Sequence, residues 1–263
     1  MSRGGSRWPY VAAVLLGIAW AFVAHAPASW VAGATARMSG ERVLLCDARG
    51  DWHDGAARVV LSAGPQGRTW ALLPGVLHWN IGLRDIWRGV LSLRLQWPGL
   101  AQGPLSWQAR AGIGSWSVRQ IAPASWEASL PAVLLQGLGT PWNTLAPRGL
   151  VRLRLHQADL SSAAGRLRMQ GDVRIDALNM SSRLSTIAPL GSYRLGITGD
   201  GPAALVRLST LEGPLELSGS GVFNGDRLQF SGTARAAAGQ QQALATLLGL
   251  LGQPEGDHVR IAL

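Results

Sequence analysis

Downstream of an apolar start, hydrophobic and polar positions alternate with a period of two, the mark of half-buried β-strands. Val151-Arg152-Leu153-Arg154-Leu155-His156 is the clearest case, with Val151, Leu153 and Leu155 facing in. Leu91 to Trp97, Leu167 to Ile175, Tyr193 to Thr198, Leu205 to Leu211, Leu215 to Phe223 and Arg227 to Arg235 repeat the pattern. Asn224-Gly225-Asp226 and Gly199-Asp200-Gly201-Pro202 read as turns between strands. Helical spacing is rare. Gln240 to Leu251 sets Ala243, Leu244, Leu247, Leu248 and Leu251 on one face, and a shorter helix is expected around Ser181 to Ile187. The expected fold class is mainly β: an antiparallel, curved or partly open sheet, barrel-like, with one or two short helices.

The start of the chain differs. Trp8 to Ala24 is a run of seventeen uncharged residues, preceded by Arg3 and Arg7 and followed by His25, Ala26 and Pro27. Extended through its Ala-rich flank, such a run nearly crosses the roughly 30 Å of bilayer hydrocarbon. The two arginines place residues 1–7 in the cytoplasm and residues 27–263 outside, with 8–26 as anchor. A cleaved signal peptide is the rival reading, since Ala24-His25-Ala26 has the small-x-small form. Pro27 at the first mature position and the lack of a polar stretch before the cleavage point weigh against it.

The net charge of +9 comes from arginine alone, with no lysine in the chain. Those arginines are spread along the strands rather than gathered in a 5–8-residue patch, which argues against nucleic acid. An anionic partner or lipid headgroup stays open. The single cysteine, Cys46, excludes an internal disulfide and reads as a buried, inert thiol. All twelve tryptophans lie at or before Trp142, and Trp70, Trp79, Trp87, Trp97, Trp107, Trp116 and Trp126 recur at strand-plus-turn spacing. They read as one core or rim aromatic per strand, or else as an aromatic docking surface. Residues 41–61 and 149–175 echo each other as strand, polar turn, strand, consistent with two β-rich halves meeting near 141–149.

Catalytic patterns are missing from the sequence. The five histidines lack HExxH spacing, and no G-x-S-x-G elbow or P-loop occurs. Asp51-Trp52-His53-Asp54 is the best local metal candidate, but it reads first as a polar hairpin turn. No enzyme, metal or cofactor is expected.

The C-terminal half carries a resemblance. Pro141-Trp142-Asn143-Thr144-Leu145, then Ser181 to Ser185 leading into Pro189-Leu190-Gly191-Ser192-Tyr193-Arg194-Leu195, is similar to the type II secretion system protein N family. So are Leu208 to Gly221, including Gly213-Pro214, and the tail from Leu247 to Ile261. The similarity spans roughly residues 130–263; residues 40–130 agree in general character and depart in a short, tryptophan-dense middle.

The resemblance implies a single-pass inner-membrane subunit of the machine that exports folded proteins across the outer membrane. The partners it implies are other inner-membrane subunits, the secretin pore and membrane lipids. It also implies kinship with AsmA-like proteins, whose curved sheets form open grooves. The family offers no catalytic residues, so Pro141, Trp142, Asn143, Pro189, Leu190, Gly191, Ser192, Tyr193, Gly213 and Pro214 read as fold or subunit-contact determinants. Gly191 and Gly213 suit tight turns, Pro189 and Pro214 strand starts, and Tyr193 the corner of a sheet. The first function expected is an assembly subunit of the secretion machine. The alternatives are a lipid-handling groove protein and a periplasmic hydrolase built on Asp51, His53 and Asp54.

Overall fold

Alternation at period two commits most of the chain to strands. The computed structural model describes residues 26–224, 227–255 and 258–262, and among them sixteen strands form one antiparallel sheet. The first eight are β1 (Val43–Gly50), β2 (Asp54–Ser62), β3 (Trp70–Leu72), β4 (Leu77–Gly82), β5 (Val90–Gln96), β6 (Leu105–Gly112), β7 (Ser115–Ala122) and β8 (Ser125–Pro131). Then follow β9 (Arg148–Ala163), β10 (Arg166–Ser181), β11 (Gly191–Gly201), β12 (Ala204–Glu212), β13 (Leu215–Phe223), β14 (Leu228–Ala236), β15 (Gln253–Glu255) and β16 (His258–Ala262). Neighbours in space are nearly neighbours in sequence, from β1 and β2 through β4 to β7, then β9 to β14, β16 and β15. β3 pairs with β2 and β8 with β9, off this path. β1 and β15 stand at opposite ends of the path, so the sheet is open. It runs without a break across residues 141–149, because both β7 and β8 pair with β9.

Residues directly opposite in an antiparallel ladder share a face. Register therefore sorts the whole sheet. Arg152, Arg154, Arg174, Asp176, Arg194, Arg207, Ser209, Ser218 and Thr233 lie on one face. Leu153, Leu155, Ile175, Leu195, Leu208 and Ala234 lie on the other. The β9 bulge at Gln157, with φ 47, restores this parity, so that His156 pairs with Asp172 and Asp159 with Gln170.

Little is stacked on the sheet. The accessible surface of 16853 Å² exceeds the roughly 11,000 Å² expected of a compact protein of this mass. Three clusters cover parts of the apolar face. Helix α1 (Ser29–Met38) packs Val31 beside Ala57 and Trp79. The 3₁₀ segment Ala132–Leu138 brings Leu134 to Val59, Leu73 and Leu100. A short helix, α2 (Trp142–Leu145), and α3 (Gln241–Leu251) close the third cluster, where Leu244 and Leu247 meet Leu190, Tyr193 and Leu215. The 240–251 helix is thus present, with Leu244 fully buried, but Ala243 is exposed.

Several expectations need correction. No helix forms at 181–187: the Ser182 hydroxyl accepts from the Leu184 N–H (3.2 Å) and the Ser185 hydroxyl from that of Ile187 (3.1 Å). These local bonds replace the helical ladder. Cys46 is exposed, because it pairs with Arg58 on the polar face while Leu45 and Val59 turn to the core. The seven spaced tryptophans do fall in successive strands and connections, but only Trp79 is buried; Trp70 and Trp87 are exposed. The anchor expected over 8–26 lies outside the described residues except for Ala26. Among the described residues no helix is long and apolar enough to cross a membrane.

Candidate functional site

Two arrangements stand out: a charged ladder on the polar face, and a corner at one end of the sheet. The ladder grows from register. β8, β9, β10 and β11 place Glu127, Arg154, Arg152, Asp176 and Arg194 on one face in adjacent strands. Asp176 is 2% exposed, and its carboxylate accepts from Arg194 Nε (2.6 Å) and Nη2 (3.1 Å) and from Arg154 Nη1 (3.4 Å). Arg154 Nε also donates to Glu127 at 2.7 Å. Arg152 Nε sits 3.1 Å from Glu127 as an ion pair without hydrogen-bond geometry. The Arg194 hydrogen bond holds the Asp176 carboxyl below its ordinary range, with the Arg154 and Arg174 charges adding and burial opposing. The same bond raises the Arg194 guanidinium. Such a buried carboxylate has no function visible in sequence; its partners lie 18 and 22 residues away.

Concavities open on this polar face. One of about 770 Å³ is lined by Ser209, Glu216, Ser218, Thr233, Arg235 and His258. Another, of about 380 Å³, is lined by Asp172, Arg174, Arg194, Thr198 and Arg207. Leu211 and Leu217 complete the first lining, and Leu205 and Val206 the second, beside these polar groups.

The corner unites the two glycine-containing motif segments. Gly191 has φ 153 and Gly213 φ 118, and a Cβ on Gly213 would lie 2.2 Å from the Gly191 Cα. Only two bare backbones allow that approach. The Leu215 N–H donates to the Leu190 carbonyl at 3.0 Å, and the Ala237 N–H to that of Pro214 at 2.7 Å. The Ser192 hydroxyl bridges the Asn179 N–H and Glu212 at 3.0 Å each. Tyr193 stands buried against Leu244 and Leu247, its hydroxyl over Gly191 and without a hydrogen-bond partner among the described residues; burial pushes its phenol up. Pro189 precedes β11 and Pro214 precedes β13.

The third motif joins the same corner through a loop. The Ser182 hydroxyl donates to the Leu145 carbonyl at 2.6 Å, and Arg183 donates to the carbonyls of Leu145 and Asn143. Pro141 is the residue before α2, Trp142 is 37% exposed, and the Asn143 side chain accepts from the Thr144 hydroxyl at 3.3 Å. Asp51 to Asp54 form the β1–β2 turn, where the Asp51 N–H donates to the Asp54 carbonyl. No group of three metal-ligating side chains occurs among the described residues.

The sheet edges lie elsewhere. The last strand is not one of them, since β16 is flanked by β14 and β15. The edge there is the three-residue β15, short enough to offer little to further pairing. At the opposite edge, β1 carries a bulge at Asp47, φ 53.

The family model described as type II secretion system (T2SS), protein N, matches residues 41–261, from just before β1 into β16. No curated protein and no solved structure matches the chain.

Proposed function

The chain belongs to the type II secretion system protein N family, and from that premise we propose that it is an inner-membrane assembly subunit of the secretion machinery. Residues 8–26 act as a single uncleaved anchor, residues 1–7 stay in the cytoplasm, and residues 27–263 work in the periplasm. The body scaffolds other inner-membrane subunits and contacts the secretin. It binds no nucleic acid and catalyses no reaction. The family match across the whole sheet carries this reading. The physical support is an open sheet whose polar face offers Arg174 and Arg207, neither in an ion pair among the described residues, to acidic groups of a partner. Anchoring raises the effective concentration of that face for other anchored subunits. The motif residues at the corner shape a surface that includes exposed Trp142.

Crosslinking in whole cells followed by capture from native membranes tests the role. Secretin or inner-membrane subunits should co-purify, and their absence from the crosslinked material would overturn it. The exposed Cys46 is a built-in topology probe. A membrane-impermeant maleimide should label it once the outer membrane alone is permeabilised. Labelling that requires rupture of the inner membrane would place the body in the cytoplasm.

A further inference from the structure

The two ends of the strands are unlike. The end bearing the corner is capped by α2, α3 and residues 182–190. The other end consists of bare connections: 51–53, 83–89, 113–114, 164–165 and 202–203. Register places 83–89, 113–114 and 164–165 side by side, since Val90 pairs with Arg110, Ser115 with Ala163, and Ala163 with Arg166. The connections 51–53 and 202–203 are set back along the strands. Large apolar side chains crown this bare end. Trp87 is 83% exposed, Ile86 46%, and Ile113 sits at a hairpin tip at 107%. Around them stand the exposed arginines Arg84, Arg110 and Arg166, none in an ion pair among the described residues.

Exposure alone does not select this end, because Trp70 at the opposite end is 70% exposed. The point where the chain enters does. The Trp52 N–H donates to the Ala26 carbonyl at 2.9 Å, the Ala28 N–H donates to the Gly50 carbonyl at 3.0 Å, and Pro27 bridges to Asp51. The uncharged run from Trp8 to Ala24 therefore joins the sheet at the bare end with no intervening linker. An anchor ending there holds the 51–54 turn at the headgroups. Register sets Asp54 level with Asn80, Arg94 and Ser106. At about 4.8 Å per strand and about 3.3 Å per residue, the Ile113 tip therefore lies roughly 30 Å away, across and further along the strands, and the strands lean where both meet one surface.

We infer that the bare end of the sheet is seated on the anionic phospholipid bilayer, with Ile86, Trp87 and Ile113 inserted at the interface and Arg84, Arg110 and Arg166 against lipid phosphates. Tryptophan favours that depth, and arginine pairs with the phosphate layer just above it. The strands then rise away from the membrane and present the corner and its motif residues to partners. This inference rests on the proposed anchor and adds the orientation of the body.

The test uses the full chain in phosphatidylglycerol-containing vesicles, in a C46S background. Single cysteines W87C, I113C and W70C carry an environment-sensitive nitrobenzoxadiazole label, and lipids spin-labelled near the headgroup serve as quencher. Fluorescence from W87C and I113C should fall roughly twofold, with a blue-shifted emission, while W70C is unchanged. Unquenched labels at both 87 and 113, or equal quenching at 70, would overturn the inference. A carbonate wash separates the two ideas: protein retained in the vesicles with unquenched tips leaves the anchor standing and removes the seating. Protein stripped by carbonate removes the anchor.

Discussion

Gly213→Ala should destabilise the protein by about 3–5 kcal/mol, enough to lower Tm on the order of 10 °C. Two costs combine. At φ 118 any L side chain is strained, and the new Cβ would sit 2.2 Å from the Gly191 Cα and 2.6 Å from the Leu190 carbonyl oxygen. Relief requires β11 and β13 to part, which breaks the Leu215 to Leu190 hydrogen bond and loosens Tyr193 from Leu244. Gly99→Ala is the matched control, because Gly99 has φ 89 and nothing within 4 Å of its added Cβ. It should cost about 1 kcal/mol, the conformational part alone. Urea unfolding of the two variants measures the difference; equal effects would show that close approach at the corner contributes nothing.

Asp176→Asn should cost about 3 kcal/mol. Removing one member of a buried ion cluster strands its partner, here Arg194, while Arg154 keeps its pair with Glu127. The figure lies at the low end of the range for such changes because the two arginine side chains are 34% and 37% exposed and reach water. Adding Arg194→Gln to the variant should recover part of the loss, since the charge left without a carboxylate goes with it. The wild-type protein should also show an acid limb that the variant lacks. The folded carboxyl titrates below the ordinary 3.8 of an aspartate, so its stabilisation is complete above that value. It is lost as pH falls through the folded pKa. Thermal unfolding between pH 6 and roughly pH 3 checks this; parallel curves for wild type and variant would contradict the ladder.

The strands were readable because alternation is a local property. Leu215 to Phe223 appears at the expected bounds, and Val151 to His156 lies inside the longer β9. What the alternation could not report is how thin the fold is. A period of two says that one face is apolar, and says nothing of whether a second layer covers it. Local chemistry misled at 181–187, where serine hydroxyls compete with helical hydrogen bonds. It misled at Cys46 as well, where an apolar run hid the parity set by its pairing with Arg58. Helix α1 went unread because its short Ala-rich stretch follows directly on the apolar start and carries no distinct face.

Strand content, the helix at 241–251 and family membership follow from residue order alone, because period, turn chemistry and motif spacing are written in contiguous residues. Packing in three dimensions decided the rest. It brought Asp176 between Arg154 and Arg194, pressed Gly213 onto Gly191, buried β16 behind β15, and set Trp87 and Ile113 at the end where the chain enters. Each of these depends on which strands lie side by side and in what register. Pairing between distant segments fixes that register, and no window of neighbouring residues records it.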